Sequence, residues 1–373
     1  MCLIKPTLYH IVFIIVIGFF LIVPLRVNAQ VKSLSSDSKS LLKAQKAITF
    51  LYNWQFDSAN LYIDELRVNF AQHPACPFFD AMLLFWQNIP KALTDSTYIE
   101  HIVLIEQSIA ITQEMLEEED ENIEAIFFNL IGRGILMRYY AAVGQKMKAV
   151  GEARKVYKYT KKARGYKDDF IEFYFMVGLY DYFREAYPEK YPLYKPFAWF
   201  FELGDKEKGL KALEFAANNG VFSVPEALSY LAYIYDKYEK TPSVGIKYLA
   251  RLGKRYPNNL WFQANYIRIL IKMEKYELAK TELHLLHAKV PTGFYSVIAN
   301  LFEAQISELY FKNPEKAFAL YTITEQELAP FQNVYYTEAF WIELYNGLIR
   351  HHEKQQEDEI VKAYNRKLAA VGK

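Results

Sequence analysis

The sequence predicts an all-α fold, a right-handed superhelix of antiparallel helix hairpins. Three observations predict it. From Leu41 onward apolar residues recur at intervals of three and four, the period of amphipathic helices, and no convincing run of strict alternation competes with that pattern. Breaker clusters (YNWQFD, NNG, YPNN, VPTG and KNPE) then cut the pattern into short successive segments, as antiparallel helix pairs require. Finally, two stretches thirty-four residues apart, TPSVGIKYLARLGKRYP (Thr241–Pro257) and KYELAKTELHLLHAKVP (Lys275–Pro291), keep the same kinds of residue at the same places.

Taken in order, the first element is a leader. Lys5 precedes the unbroken apolar run Ile11–Val23, and VNA ends at Ala29 before Gln30, the layout of a secretory signal peptide cleaved after Ala29. The run is shorter than the roughly 20 residues that span a bilayer. Cys2 lies outside any lipid-attachment box. Export to the periplasm or cell envelope is therefore expected. Removing residues 1–29 takes away Lys5 and Arg26 and no acid, which leaves 42 basic against 43 acidic residues, a balance of −1. Such a chain has no global field to attract nucleic acid or an anionic membrane. Cys76 becomes its only cysteine, so no internal disulfide can form and stability must come from packing.

Ser33–Ser40 (SLSSDSKS) reads as a polar tether, which puts a linker over 30–40 and the helical array over 41–373, with a sub-boundary near 186–200. Helices are expected over Leu41–Trp54, Ser58–Phe70, Tyr98–Glu118, Ile123–Val143, Lys146–Ala163, Lys206–Asn218 and Glu226–Tyr238. They continue over Leu260–Met273, Glu277–Ala288, Phe294–Phe311, Pro314–Gln326 and Thr337–His352. Apolar residues make up 52% of the chain, enough for a large buried surface, and 30 Tyr and 27 Phe are the compositional oddity.

The two matched stretches share only Leu249/Leu283, Leu252/Leu286 and Pro257/Pro291 as identities, yet small Gly245 stands over Ala279 and aliphatic Val244 over Leu278. This resembles the tetratricopeptide repeat. There two helices pack as a hairpin, small residues sit where backbones approach, larger apolar ones fill the gap to the next hairpin, and a Pro ends the second helix. Looser copies follow Trp54–Ala59, with Ile63 and His73-Pro74, and Asn313–Ala317, with Tyr321 and Pro330. A more specific resemblance covers the middle of the chain. Gly178-Leu179-Tyr180, Pro188, Pro196–Leu203, Gly204-Asp205-Lys206 and Gly209-Leu210 follow the pattern of the tetratricopeptide repeat protein 39 family. That resemblance implies an all-helical superhelix, no known catalytic apparatus, and a binding or organising role.

Each candidate site also has a plainer reading. In Ala186–Phe200 (AYPEKYPLYKPFAWF), Pro188, Pro192 and Pro196 each oppose helix continuation. Tyr187, Tyr191, Tyr194 and Trp199 offer faces for a peptide, lipid or sugar ring, while a rigid connector whose aromatics pack between helices is the plainer account. His284 and His287 share a helix face but lack a third and fourth ligand, and the adjacent His351 and His352 diverge. The run Glu117–Glu121 lacks the alternation and Gly of a calcium loop and reads as a solvated helix end. Lys158, Lys161, Lys162, Arg164 and Lys167, interleaved with Tyr157, Tyr159 and Tyr166, could line an anion or nucleic-acid groove, though a solvated helix face reads better in an exported protein. Gly132-Arg-Gly134 matches no phosphate loop and reads as a point of close helix approach. Neither a GxSxG nor an HExxH motif occurs, so no catalytic residue, metal or cofactor is expected.

The function expected is recognition without chemistry: a scaffold that holds a protein or peptide partner on its concave face, with no nucleic-acid partner. Tyr230, Tyr233, Asn265 and Arg268 are placed on that face by repeat position. Two alternatives stand beside it. A helical-toroid glycan hydrolase would need paired carboxylates about 5–10 Å apart, and a lipid-binding helical protein would need an apolar tunnel.

Overall fold

Helix starts are set by short polar side chains. Asp95, Asn122, Asp205, Asn259 and Asn313 each accept a backbone N–H from the first turn that follows them, which satisfies a donor the helix itself cannot pair. The computed structural model describes residues 33–192, 195, 201–332, 334 and 336–371; the leader over 1–29, Tyr194 and Trp199 lie outside the described residues. Among the described residues there are sixteen α-helices and no strand.

The helices form eight antiparallel hairpins: α1 (Ser38–Tyr52) with α2 (Phe56–Phe70), α3 (Ala75–Asn88) with α4 (Ser96–Glu118), α5 (Ile123–Ala142) with α6 (Lys146–Gly165), and α7 (Phe173–Lys190) with α8 (Lys206–Asn219). The array continues with α9 (Val224–Lys237) and α10 (Pro242–Arg255), α11 (Leu260–Lys272) and α12 (Tyr276–Lys289), α13 (Phe294–Leu309) and α14 (Pro314–Leu328), then α15 (Glu338–Lys354) and α16 (Asp358–Ala370). Extensive helix-on-helix packing runs between chain neighbours and between successive first helices, which is a tetratricopeptide-like solenoid. All twelve expected helices are present within a few residues of their expected ends. The helices α3 and α16 were not anticipated.

A common turn repeats through the array. Between the two helices of six hairpins one residue adopts a left-handed conformation: Trp54 (φ 57°), Gly144 (75°), Lys240 (53°), Glu274 (57°), Lys312 (54°) and Gln356 (61°). The next N–H reaches back to the preceding helix, as in Lys275 N to Leu270 O and Gln145 N to Tyr140 O, so carbonyls at the helix end gain partners. The two exceptions are the hairpins with longer connections, over 89–95 and 191–205.

Small residues do mark close approach. Ala59, Ala279 and Ala317 are fully buried, and a Cβ on Gly245 would stand 3.1 Å from Ala232 O. Backbones themselves meet where α7 crosses α8: a Cβ on Gly209 would meet Tyr182 N at 2.6 Å and Gly178 O at 2.8 Å. Gly132 presses on Ile109 of α4 as expected, but Gly134 faces open space.

Two expectations need correction. Ser33–Ser40 is no free tether: Leu34 is buried, helix α1 begins at Ser38, and the buried Glu124 carboxylate accepts Leu34 N–H (3.0 Å), Ser35 N–H and Ser33 Oγ–H (3.2 Å). Short polar residues looked solvated because most of these contacts come from backbone donors, which the side-chain pattern does not show. Pro188 also does not stop a helix; it sits in the last turn of α7, two residues before its end.

The array also coils back on itself. Tyr52, at the end of α1, donates to Glu226 Oε1 of α9 (2.5 Å) and its carbonyl accepts from Asn259 Nδ2 (2.9 Å). Its ring packs with Trp86, Tyr256 and Phe262, while Trp54 meets Tyr295 edge-on. Side chains near the ends of α1, α3 and α5 thus join the region over α9–α15, and this seam interrupts the continuous open groove that the repeat pattern suggested.

Candidate functional site: polar residues on the first helices of hairpins five to eight

Each hairpin contributes a first helix to the array. In hairpins five to eight the polar side chains of these helices meet. Asp236, buried near the end of α9, accepts from Arg268 Nη2 (2.9 Å) and Lys272 Nζ (2.6 Å), both on α11, and Lys237 Nζ lies 3.6 Å away. Burial alone would raise the Asp236 carboxyl, but the Arg268 charge and the Lys272 hydrogen bond outweigh it and hold the group well below the usual carboxylate range. On the next helices Gln305 of α13 donates Nε2–H to Glu343 Oε2 of α15 (3.0 Å). Burial pushes the half-buried Glu338 of α15 up to about 7 in spite of Lys237, and burial followed by the Arg268 charge lowers Lys237 itself.

The centre of this cluster is incompletely bonded. Arg268 is 6% exposed, yet its Nε and Nη1 have no hydrogen-bond partner, and Nη1 stops 3.9 Å from Glu343 Oε1. Gln305 is 3% exposed and its Oε1 is likewise unpaired. A carboxylate can only accept, so Gln305 must turn Nε2 toward Glu343 and leave Oε1 as the free acceptor. The buried Arg133 is a useful contrast: Asn129 and Glu152 take its Nε and Nη1 at 2.7 and 2.8 Å.

The structure brings most of the expected residues to this neighbourhood. Arg268 is its centre, and Tyr230 and Tyr233 lie on α9 about two turns and one turn before Asp236. Tyr230 accepts from Arg138 Nη1 of α5 (2.7 Å), whose Nη2 donates to Tyr336 just before α15 (2.9 Å). Tyr233 packs against Tyr238, over which Lys190 Nζ sits at 4.2 Å; Lys190 also faces Tyr191, and Tyr191 packs at a tilt against Tyr187. The proline-rich stretch and the repeat-derived positions therefore meet at one tyrosine cluster, with Tyr187, Tyr191 and Tyr233 39–45% exposed. Asn265 spends one Nδ2–H on Trp261 O of its own helix (2.9 Å) and makes no hydrogen bond to this cluster among the described residues.

Asp236, Lys237, Lys272, Gln305, Glu338, Glu343 and Arg138 were not singled out from sequence. A signal existed for two site residues: Arg268 in NYIRILIK and Gln305 in LFEAQISEL are polar letters inside otherwise apolar helices. Elsewhere, His284 is exposed and His287 lies 3.7 Å from Glu303; among the described residues no three His, Cys, Asp or Glu side chains converge as a metal ion would require. Nor is any described helix long and apolar enough to cross a membrane.

No protein-family model matches this sequence, and no curated protein matches it. The tetratricopeptide-like architecture rests on the hairpins themselves.

Proposed function

We propose that this chain is an exported, non-catalytic scaffold of tetratricopeptide type that holds a protein or peptide partner on the inner face of hairpins five to eight. One observation carries the reading. Arg268 and Gln305, on adjacent first helices, leave a buried donor and a buried acceptor unpaired, at a cost of roughly 1–3 kcal/mol for each such group. A peptide group supplies the complement, its carbonyl for Arg268 and its N–H for Gln305. The tyrosine cluster around Tyr233 adds amphipathic rings suited to a partner's side chains. Export to the periplasm or cell envelope rests on the leader pattern over 1–29. The narrower kinship with the tetratricopeptide repeat protein 39 family is supported by the Gly178–Gly209 crossing, which makes use of two of the three glycines of that resemblance.

The test is site-directed photo-cross-linking in the producing cell. A cross-linker at Tyr233 should give a discrete protein adduct that Gln305→Leu and Lys272→Ala diminish in variants whose helical circular dichroism is unchanged. A cross-linker at Leu285, exposed on the second helix α12, should give none. Identical adducts from both positions, or an adduct indifferent to both substitutions, would defeat the proposal.

A further inference from the structure

The chain is nearly neutral, yet one helix is not. Helix α6 carries eight cations (Lys146, Lys148, Arg154, Lys155, Lys158, Lys161, Lys162 and Arg164) against the single acid Glu152. It turns Glu152, Thr160 and Ala163 inward. Positions 147, 151, 154, 158 and 161, separated by alternating steps of four and three, therefore form one outward stripe of Met147, Gly151, Arg154, Lys158 and Lys161. Neighbouring acids neutralise only part of the charge: Glu152 takes Lys155, Glu202 takes Lys161, Asp120 takes Lys162 and Asp181 takes Arg164. Lys146, Lys148, Arg154 and Lys158 have no carboxylate partner among the described residues.

The second observation concerns the ends of the stripe. Met147 is 83% exposed at one end, with Val150 beside it at 38%. At the other end Leu203 is 86% exposed, and its neighbours Glu202 and Phe201 are tied to α6 through Lys161 and Tyr157. Two of the most exposed apolar side chains among the described residues thus bracket a basic face about 20 Å long, taking 1.5 Å per residue. A nucleic acid or other soluble polyanion would gain from the cations and nothing from a bare Met and Leu. A lipid surface uses both, the cations at the headgroups and the apolar tips at the acyl boundary.

We propose that the outer face of α6, from Met147 to Lys161 together with Leu203, is a docking surface for an anionic lipid bilayer. It holds the molecule on a membrane without a spanning helix and leaves the first helices of hairpins five to eight to their own partner.

Vesicle flotation of the full chain, purified as the cell processes it, tests this. The protein should float with vesicles containing about one third phosphatidylglycerol and not with pure phosphatidylcholine, and salt should weaken the binding. Each cation near the surface contributes roughly fivefold to partitioning, so Arg154→Ala with Lys158→Ala should reduce it roughly 25-fold. Met147→Ser with Leu203→Ser should weaken it while leaving the salt dependence in place. These side chains are exposed, so the variants should keep wild-type melting curves. A retained leader would bind vesicles whatever stands at 154 and 158, so the paired alanines separate the two sources of binding. Equal flotation with both lipids, no response to the paired alanines, or alanine-sensitive binding to heparin without flotation on anionic vesicles would each overturn the proposal.

Discussion

Replacing Glu124 by Gln should cost the N-terminal hairpins about 3 kcal/mol, and two routes lead to that figure. The carboxylate is 6% exposed and is met only by donors: Leu34 N–H, Ser35 N–H, Ser33 Oγ–H and His73 Nε2 at 3.0 Å. His73 accepts Ala75 N–H at Nδ1 (3.1 Å), so the ring proton sits on Nε2 and points at Glu124. A glutamine keeps one acceptor oxygen and turns its NH₂ against other donors, losing charge-assisted bonds worth roughly 1.5–3 kcal/mol and stranding at least one buried N–H. The second route is titration. Burial alone would raise the carboxyl, but the hydrogen bonds from His73 and Ser35 outweigh it and hold the group at about 2 against an ordinary 4.5. At 1.36 kcal/mol per pH unit that gap again gives about 3 kcal/mol. The folded value is depressed, so the contribution is complete above the unfolded value of about 4.3 and disappears as pH falls toward 2. Hydrogen exchange at Leu34 and Ser35, with urea unfolding followed between pH 7 and pH 2, reads both consequences. The variant should expose these amides at neutral pH and lose this part of the acid limb. A loss below about 0.5 kcal/mol, or an acid limb identical to the wild type, would refute the reasoning.

The left-handed turns and the glycines give two further tests. Glu274→Gly should stabilise by about 0.5–1 kcal/mol in chemical denaturation, because φ 57° strains any residue with a Cβ; an unchanged midpoint would show that the turn bears no such strain. Gly209→Ala should cost at least about 2 kcal/mol, since backbone atoms of Tyr182 and Gly178 occupy the space its Cβ needs. Gly134→Ala, with nothing within 4 Å and a helical backbone, should instead gain up to about 1 kcal/mol, so equal effects at the two sites would count against the packing account.

The hairpins were legible because their determinants are local. Gly245 and Ala279 are small for the same backbone reason thirty-four residues apart, and Leu249 and Leu283 are both buried between helices. Helix α3 was missed because ACPFFDAMLLFWQN is apolar on nearly every side and shows no clean period. The docking of Ser33–Ser35 on Glu124 was invisible for another reason: it joins backbone donors to a carboxylate about ninety residues away, and no spacing rule connects them. The site was half legible. Repeat position found Tyr230, Tyr233 and Arg268. It did not find Gln305, Glu338 or Glu343, because the repeat spacing lengthens toward the end of the chain, from Lys240 to Glu274 to Lys312 to Gln356.

The excess of tyrosine over what an ordinary helical array needs has a structural use that a groove-lining account does not supply. Hairpins that touch only their neighbours leave the curvature of a solenoid to the sum of small angles, and that sum is soft. Contacts between residues some two hundred apart remove the softness. The seam lies at helix ends, where polar backbone groups crowd, so its rings need a hydroxyl as well as area: Tyr52 donates to Glu226, and Tyr230 and Tyr336 accept from Arg138. Phenylalanine at these places would keep the burial and strand the partners. Arg138 reaches the proposed partner-binding face directly, because Tyr230 is one turn from Tyr233 on α9 and Tyr336 precedes Glu338 by two residues. The first three hairpins thereby set the separation of α9 and α15. The spacing of Arg268 and Gln305, on α11 and α13 between those two helices, therefore depends on a side chain from the third hairpin.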